Sequence, residues 1–121
     1  MTTEELEAAA RGWIAAWNSH DLEAILAHYA DAIVFQTPTA VARWGRADGV
    51  LRGKDELRRH FARGLELSPA LHFELEQIFT GPDGYAVLYR RENGNRVIDT
   101  VELDGDGRAV RGRALYAGKQ A

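Results

Sequence analysis

Apolar positions recur at helical spacing from the start of the chain. Leu6, Ala9, Ala10, Trp13 and Trp17 lie at i, i+3, i+4, i+7 and i+11, one stripe of an amphipathic helix. Thr2 and Glu5 ahead of it have the spacing of a capping box. Asn18-Ser19-His20 breaks the stripe and Asp21 suits an N-cap. Leu22, Ile25, Leu26 and Tyr29 then repeat the spacing and predict a second helix. The break is short, so the two helices are expected to be neighbours. Ile33 to Thr37 is β-branched and aromatic and is stopped by Pro38, which predicts a strand. Thr39 to Gly53 has no period and is punctuated by Gly45, Gly49 and Gly53. It reads as a long loop with room for a short irregular strand, and Arg43, Trp44 and Arg46 cluster in it. A third helix is predicted from Lys54 to Arg63, with Leu57 and Phe61 inward and Gly64 as its stop.

The remainder alternates. Leu71, Phe73 and Leu75 interleave with His72, Glu74 and Glu76, the pattern of a half-buried strand. Strands are also predicted over Tyr85–Glu92, Arg96–Leu103 and Arg108–Tyr116, separated by turns at Gly81–Gly84, Asn93-Gly94 and Asp104–Gly107. Helices followed by an antiparallel meander make an α+β domain, expected here as one domain over residues 1–121. A two-residue turn at Asn93-Gly94 would pair Arg90 with Val97, Leu88 with Asp99 and Ala86 with Val101. One face would then carry Ala86, Leu88, Arg90, Val97, Asp99, Val101 and Leu103. The other would carry Tyr85, Val87, Tyr89, Ile98, Thr100 and Glu102. Both faces are apolar enough to need a cover. One meets the helices, and a second copy of the chain is the simplest cover for the other, which predicts a homodimer through the outer face.

Composition narrows the function classes. With 121 residues and 45% hydrophobic content, the chain can build one core without staples. A formal net charge of −3 shows no footprint for nucleic acid or an anionic membrane. No cysteine is present, which excludes disulfides, thiolate nucleophiles and cysteine zinc sites and fits a cytoplasmic location. The first residues carry Glu4, Glu5 and Glu7 and do not read as a signal peptide, and no apolar run suits a membrane span.

Several words of the sequence carry a resemblance. They are Trp17-Asn18-Ser19-His20-Asp21-Leu22, Tyr29-Ala30-Asp31 before a strand ending at Pro38, Leu51-Arg52-Gly53-Lys54-Asp55-Glu56-Leu57-Arg58, Asp106-Gly107-Arg108, and Gly112-Arg113-Ala114-Leu115-Tyr116. In these the chain resembles the SnoaL-like branch of the nuclear-transport-factor-2-like superfamily, over nearly its whole length. The resemblance implies a cystatin-like cone: three helices packed on a highly curved antiparallel sheet around an internal pocket, commonly dimeric through the outer sheet face. The superfamily includes ketosteroid isomerases, polyketide cyclases, dehydratases, epoxide hydrolases and binding domains without catalysis, so the fold does not choose the function.

Asp99 is the leading candidate for chemistry, in phase with Val97, Val101 and Leu103. A carboxyl on an apolar face loses hydration, which raises its pKa and suits it to proton transfer. The alternative is a structural ion pair with Arg90 across the hairpin. By resemblance to ketosteroid isomerases, Asp99 takes the place of the aspartate that donates to the oxyanion, Thr37 that of the base and Trp13 that of the tyrosine donor. Threonine is no base near neutral pH, and indole donates one N–H without a phenol, so isomerisation by that route is disfavoured. Trp13, Trp17, Phe35, Trp44 and Tyr116 are candidates for an aromatic lining or for plain core packing, Trp17 more for the latter. Leu88 and Val101 share the expected inner face, and Gly112 with Ala114 would leave room beside Tyr116. The four histidines, His20, His28, His60 and His72, show no metal-ligand spacing, and Asp104–Gly107 lacks the distal carboxylate of a calcium loop. No metal or other cofactor is implied. The expected partner is a small apolar or aromatic molecule. It would be turned over by acid–base isomerase, cyclase or hydrolase chemistry using Asp99, Arg90 and Thr37, or be bound without reaction. A third alternative is a dimeric scaffold with a filled cone.

Overall fold

The computed structural model describes residues 1–118. Helix α1 spans Thr3–Ser19, α2 Leu22–Leu26, strand β1 Tyr29–Gln36, α3 Pro38–Trp44, β2 Val50–Arg52, α4 Lys54–Leu67, β3 Phe73–Thr80, β4 Gly84–Arg91, β5 Arg96–Leu103 and β6 Ala109–Tyr116. The six strands form one curved sheet in the order β2-β1-β6-β5-β4-β3. The N-terminal helices pack on its inner face in an α+β cone, as expected.

The capping box at α1 is formed: Thr2 Oγ1 accepts from the Glu5 backbone N–H and Glu5 Oε1 accepts from the Thr2 N–H, each at 3.1 Å. Asp21 caps α2 through the backbone N–H groups of Glu23 and Ala24. Leu6, Ala10, Trp13, Ile14 and Trp17 bury one face of α1, and Leu57, His60 and Phe61 bury one face of α4.

Four details differ from the sequence expectations. The loop after Pro38 contains the helix α3 as well as the short strand for which it had room, β2. Thr37 is the N-cap, Pro38 occupies the first turn and Gly45 closes the helix in the left-handed region. Helix α4 runs through Gly64 to Leu67 instead of stopping there. Tyr29 begins β1 and does not extend α2. The sheet is mixed, because β1 pairs parallel with β6.

The β4–β5 hairpin is the most consequential difference. Val87, not Leu88, stands opposite Asp99, and Tyr89 stands opposite Val97. The turn is the cause. The Arg91 N–H bonds to the Asn95 carbonyl, and the Gly94 N–H bonds back to the Arg91 carbonyl, which leaves three residues in the loop. Gly94 takes φ +88, whereas Asn93 is not among the residues with positive φ, as a two-residue type I′ turn would require. A one-residue change of register turns every β4 side chain over. Tyr85, Val87 and Tyr89 therefore enter the core with Val97, Asp99 and Val101, while Ala86, Leu88 and Arg90 move to the outer face.

Candidate functional site

A cavity of about 80 Å³ lies between α1, α4 and the inner sheet face, well above the ~10–15 Å³ that one water needs. Its aromatic wall is built by helix and strand together. Trp13 and Trp17, four apart on α1, meet edge to face at 6.2 Å between centroids, and Phe73 stacks on Tyr89 at 4.2 Å. Phe61 of α4 closes the other side, 4.8 Å from Trp17 and 5.5 Å from Tyr29.

Asp99 stands on β5 in this wall with 4% exposure. The Tyr89 hydroxyl donates to its Oδ2 at 2.7 Å. No salt bridge reaches it among the described residues. Burial raises its pKa to about 7, against an opposing effect of the Tyr89 bond. The phenols of Tyr29, Tyr85 and Tyr89 are pushed up by burial first and by the nearby Asp99 charge second, so none ionises near neutral pH. Trp13 Nε1 donates to the Tyr29 hydroxyl at 2.9 Å, which leaves the Tyr29 proton free for another acceptor. Trp17 Nε1, equally buried, has no hydrogen-bond partner among the described residues.

A second polar chain crosses from the cavity to α3. Trp44 Nε1 donates to His60 Nδ1 at 2.9 Å, and His60 Nε2 lies 2.8 Å from Thr39 Oγ1. Burial, with help from the Arg43 charge, lowers the His60 pKa to about 4, so the ring is neutral. With Nδ1 accepting, the proton is on Nε2 and is donated to Thr39. Thr39 and Thr37 hydroxyls are 3.0 Å apart and share one proton between them. Whichever donates, one hydroxyl proton is left to face the cavity that both residues line.

The structure thus brings Asp99, Thr37, Trp13, Trp17, Phe35 and Tyr116 to one cavity. Five other expected contacts lie elsewhere. The hairpin register puts Arg90 on the outer face, where its side chain is half exposed and 3.9 Å from Glu76, so it is not the partner of Asp99. Leu88 faces outward opposite Ile98 for the same reason. Val101 faces inward but packs in the core between Tyr85 and Gly112, away from the cavity. Gly112 leaves room for the Phe35 ring and not for a ligand: a Cβ there would stand 2.8 Å from Phe35 Cδ2. Trp44 is 44% exposed and touches the site only through its bond to His60. Sequence reasoning missed Tyr29, Tyr89, His60 and Thr39. The Thr37-Pro38 pair, an N-cap followed by the residue favoured in a first helical turn, was the signal for α3 and for Thr39.

The model of the SnoaL-like domain family matches residues 10–117. The chain belongs to the SnoaL-like family. This SnoaL-like chain is 37% identical to a SnoaL-like protein of unknown function from Burkholderia thailandensis, with a TM-score of 0.92 over 98% of this chain and 99% of that one. A protein of unknown function with a cystatin-like fold from Methylobium petroleophilum shares 19% identity and a TM-score of 0.77, over 100% of this chain and 81% of that one. TerC, crystallised with polyporic acid, shares 16% identity and a TM-score of 0.73, over 91% and 89%. At these last two identities the likeness is one of fold. No curated protein matches the chain. Among the described residues no helix is long and apolar enough to cross a membrane, and no cluster of His, Cys, Asp or Glu could hold a metal ion.

Proposed function

We propose that this SnoaL-like chain takes a small, mainly aromatic or apolar molecule bearing an oxygen into the cone, and that Asp99 exchanges a proton with it. The observation that carries the proposal is Asp99 itself, a carboxyl lining the cavity, 4% exposed, held by one hydroxyl and titrating near 7. A group in that state is divided between its acid and base forms near neutral pH, the condition for efficient proton transfer in either direction. The Tyr29 hydroxyl and the Trp17 N–H line the same hollow and supply hydrogen-bond donors for an oxygen that gains negative charge. Isomerisation, cyclisation and hydrolysis by general acid–base catalysis all need such a combination.

An aspartate beside a phenol is the donor pair that the likeness to ketosteroid isomerases led one to seek. Here the phenol comes from Tyr29 on β1, while Trp13 supports it from α1. The matching base position holds Thr37, so Asp99 has to serve alone. That lack of a second carboxylate favours a second reading, a binding module without turnover. Asp99→Asn separates the two. Loss of turnover with ligand affinity retained supports proton transfer. Unchanged turnover and unchanged affinity would remove Asp99 from the function. The ligand itself is to be sought by native mass spectrometry of the purified protein.

We also propose a homodimer through the outer sheet face. After the change of register that face carries half-buried Leu88 and Ile98 and 46% exposed Leu115. Sedimentation velocity tests it. A monomer at concentrations of tens of micromolar would reject it.

A further inference from the structure

The polar groups around the cavity are unevenly charged. The whole chain is acidic, with a formal net charge of −3, yet the two charged side chains at the more exposed end of the lining are Arg43 and Arg91. Arg91 is engaged with Glu92 at 3.0 Å and sits over the Phe73 ring at 5.5 Å. Arg43 has no carboxylate partner among the described residues. Its Nη1 donates to the His60 carbonyl at 3.2 Å, and the charged neighbours it feels besides the Tyr116 phenol are Arg63 and Arg91, both cationic.

The position of Arg43 is built into two elements. The guanidinium lies against Gly64, where an added Cβ would come within 3.3 Å of Nη1. Gly64 sits inside α4, where glycine is less favourable than alanine. A half-buried cation seated on a helical glycine, within the field of two other cations and without a carboxylate partner among the described residues, is a good receptor for an anion. Guanidinium supplies paired donors with the geometry of a carboxylate. The Trp17 N–H in the same lining has no hydrogen-bond partner within bonding geometry and lies near the Tyr29 hydroxyl.

We infer that the ligand is a small organic anion, an aromatic or unsaturated carboxylate, with its charged group held by Arg43 beside Arg91 and its ring against the aromatic wall that Trp13, Trp17 and Phe61 form. This rests on the proposed binding function and adds the charge of what is bound. It also orients the molecule: the carboxylate faces outward, and the reacting part lies toward Asp99.

The test uses matched probes, benzoate against benzamide and 2-naphthoate against 2-naphthamide. Binding is followed by the indole N–H resonances of Trp13 and Trp17 in the full chain. The acids are expected to bind at least about tenfold more tightly than the amides. Arg43→Gln should remove that preference and leave amide affinity within about twofold. Arg91→Gln should reduce it by a smaller factor, and it keeps the test open if Arg43→Gln does not fold. Equal affinity for acid and amide in the wild type, or an acid preference unaltered by Arg43→Gln and Arg91→Gln, overturns the anion inference while leaving the pocket proposal standing. No shift of either indole with any probe at millimolar concentration overturns both.

Discussion

Replacing Asp99 by Asn preserves the shape of the side chain and an acceptor for the Tyr89 hydroxyl, and it removes the charge. The folded carboxyl is 4% exposed and titrates near 7, against an ordinary value of 3.8. The folded state therefore holds this proton more tightly than the unfolded chain does. The stability it contributes is complete below about pH 4 and is lost as pH rises through about 7, where a charged group stays buried without a cation. A separation of about three units amounts to roughly 4 kcal/mol in full, of which more than half falls between about pH 5 and pH 8. His60 has the opposite slope. Its pKa is about 4 in the fold against 6.5 ordinarily, so its contribution is present above 6.5 and lost as pH falls toward 4. The two slopes largely offset each other in the wild type, and comparison with the variant isolates Asp99. Urea unfolding of both proteins at several pH values between about 5 and 8 is the assay. The variant should gain roughly 2–3 kcal/mol on the wild type from the acid to the alkaline end. Parallel curves would refute a buried, unpaired carboxylate.

Tyr89→Phe removes the donor that favours the Asp99 anion, so the Asp99 carboxyl should titrate still higher, as read by carbon NMR of the carboxyl. Gly112→Ala presses a methyl group onto the Phe35 ring and is expected to destabilise the fold by about 1–3 kcal/mol in chemical denaturation. Trp13→Phe removes the indole bond to Tyr29 and should cost about 1–3 kcal/mol from the unsatisfied hydroxyl and lost packing, with unfolding still two-state. Thr39→Val takes away the acceptor of His60 Nε2. Trp44 still donates to Nδ1, so the tautomer should be kept while the Nε2–H loses its partner, visible as a shift of the Nε2 resonance with Nδ1 little changed.

The sequence announced most of the architecture through periodicity and punctuation. The capping residues Thr2 and Asp21, the stripe from Leu6 to Trp17 and the alternating strands all act within a few neighbouring residues, which is why they can be read locally. Asp99 was legible for the same reason, since its phase in β5 depends only on Val97 and Val101. The partner of Asp99 was not. It depends on whether the hairpin loop holds two residues or three. Asn93-Gly94 is compatible with both, because Gly94 takes a positive φ in either turn. One residue in the loop exchanged Arg90 for Tyr89. Tyr29 and His60 were hidden differently. Tyr29 continues a helical spacing that the chain leaves after Leu26, and the role of His60 comes from Trp44 and Thr39, residues brought to it by the fold.

The place of β6 in the sheet has a consequence for how the protein is made. β6, the sixth described strand in chain order, lies between β1 and β5 and joins the first strand to the β4–β5 hairpin. On a ribosome β1 and β2 must wait beside α4 with one edge open until β6 has emerged. Contacts so distant along the chain make assembly slow compared with a helical bundle of the same length. Truncation before Ala109 should leave two unjoined pieces of sheet with exposed edges, a nascent intermediate well suited to capture by chaperones or to aggregation.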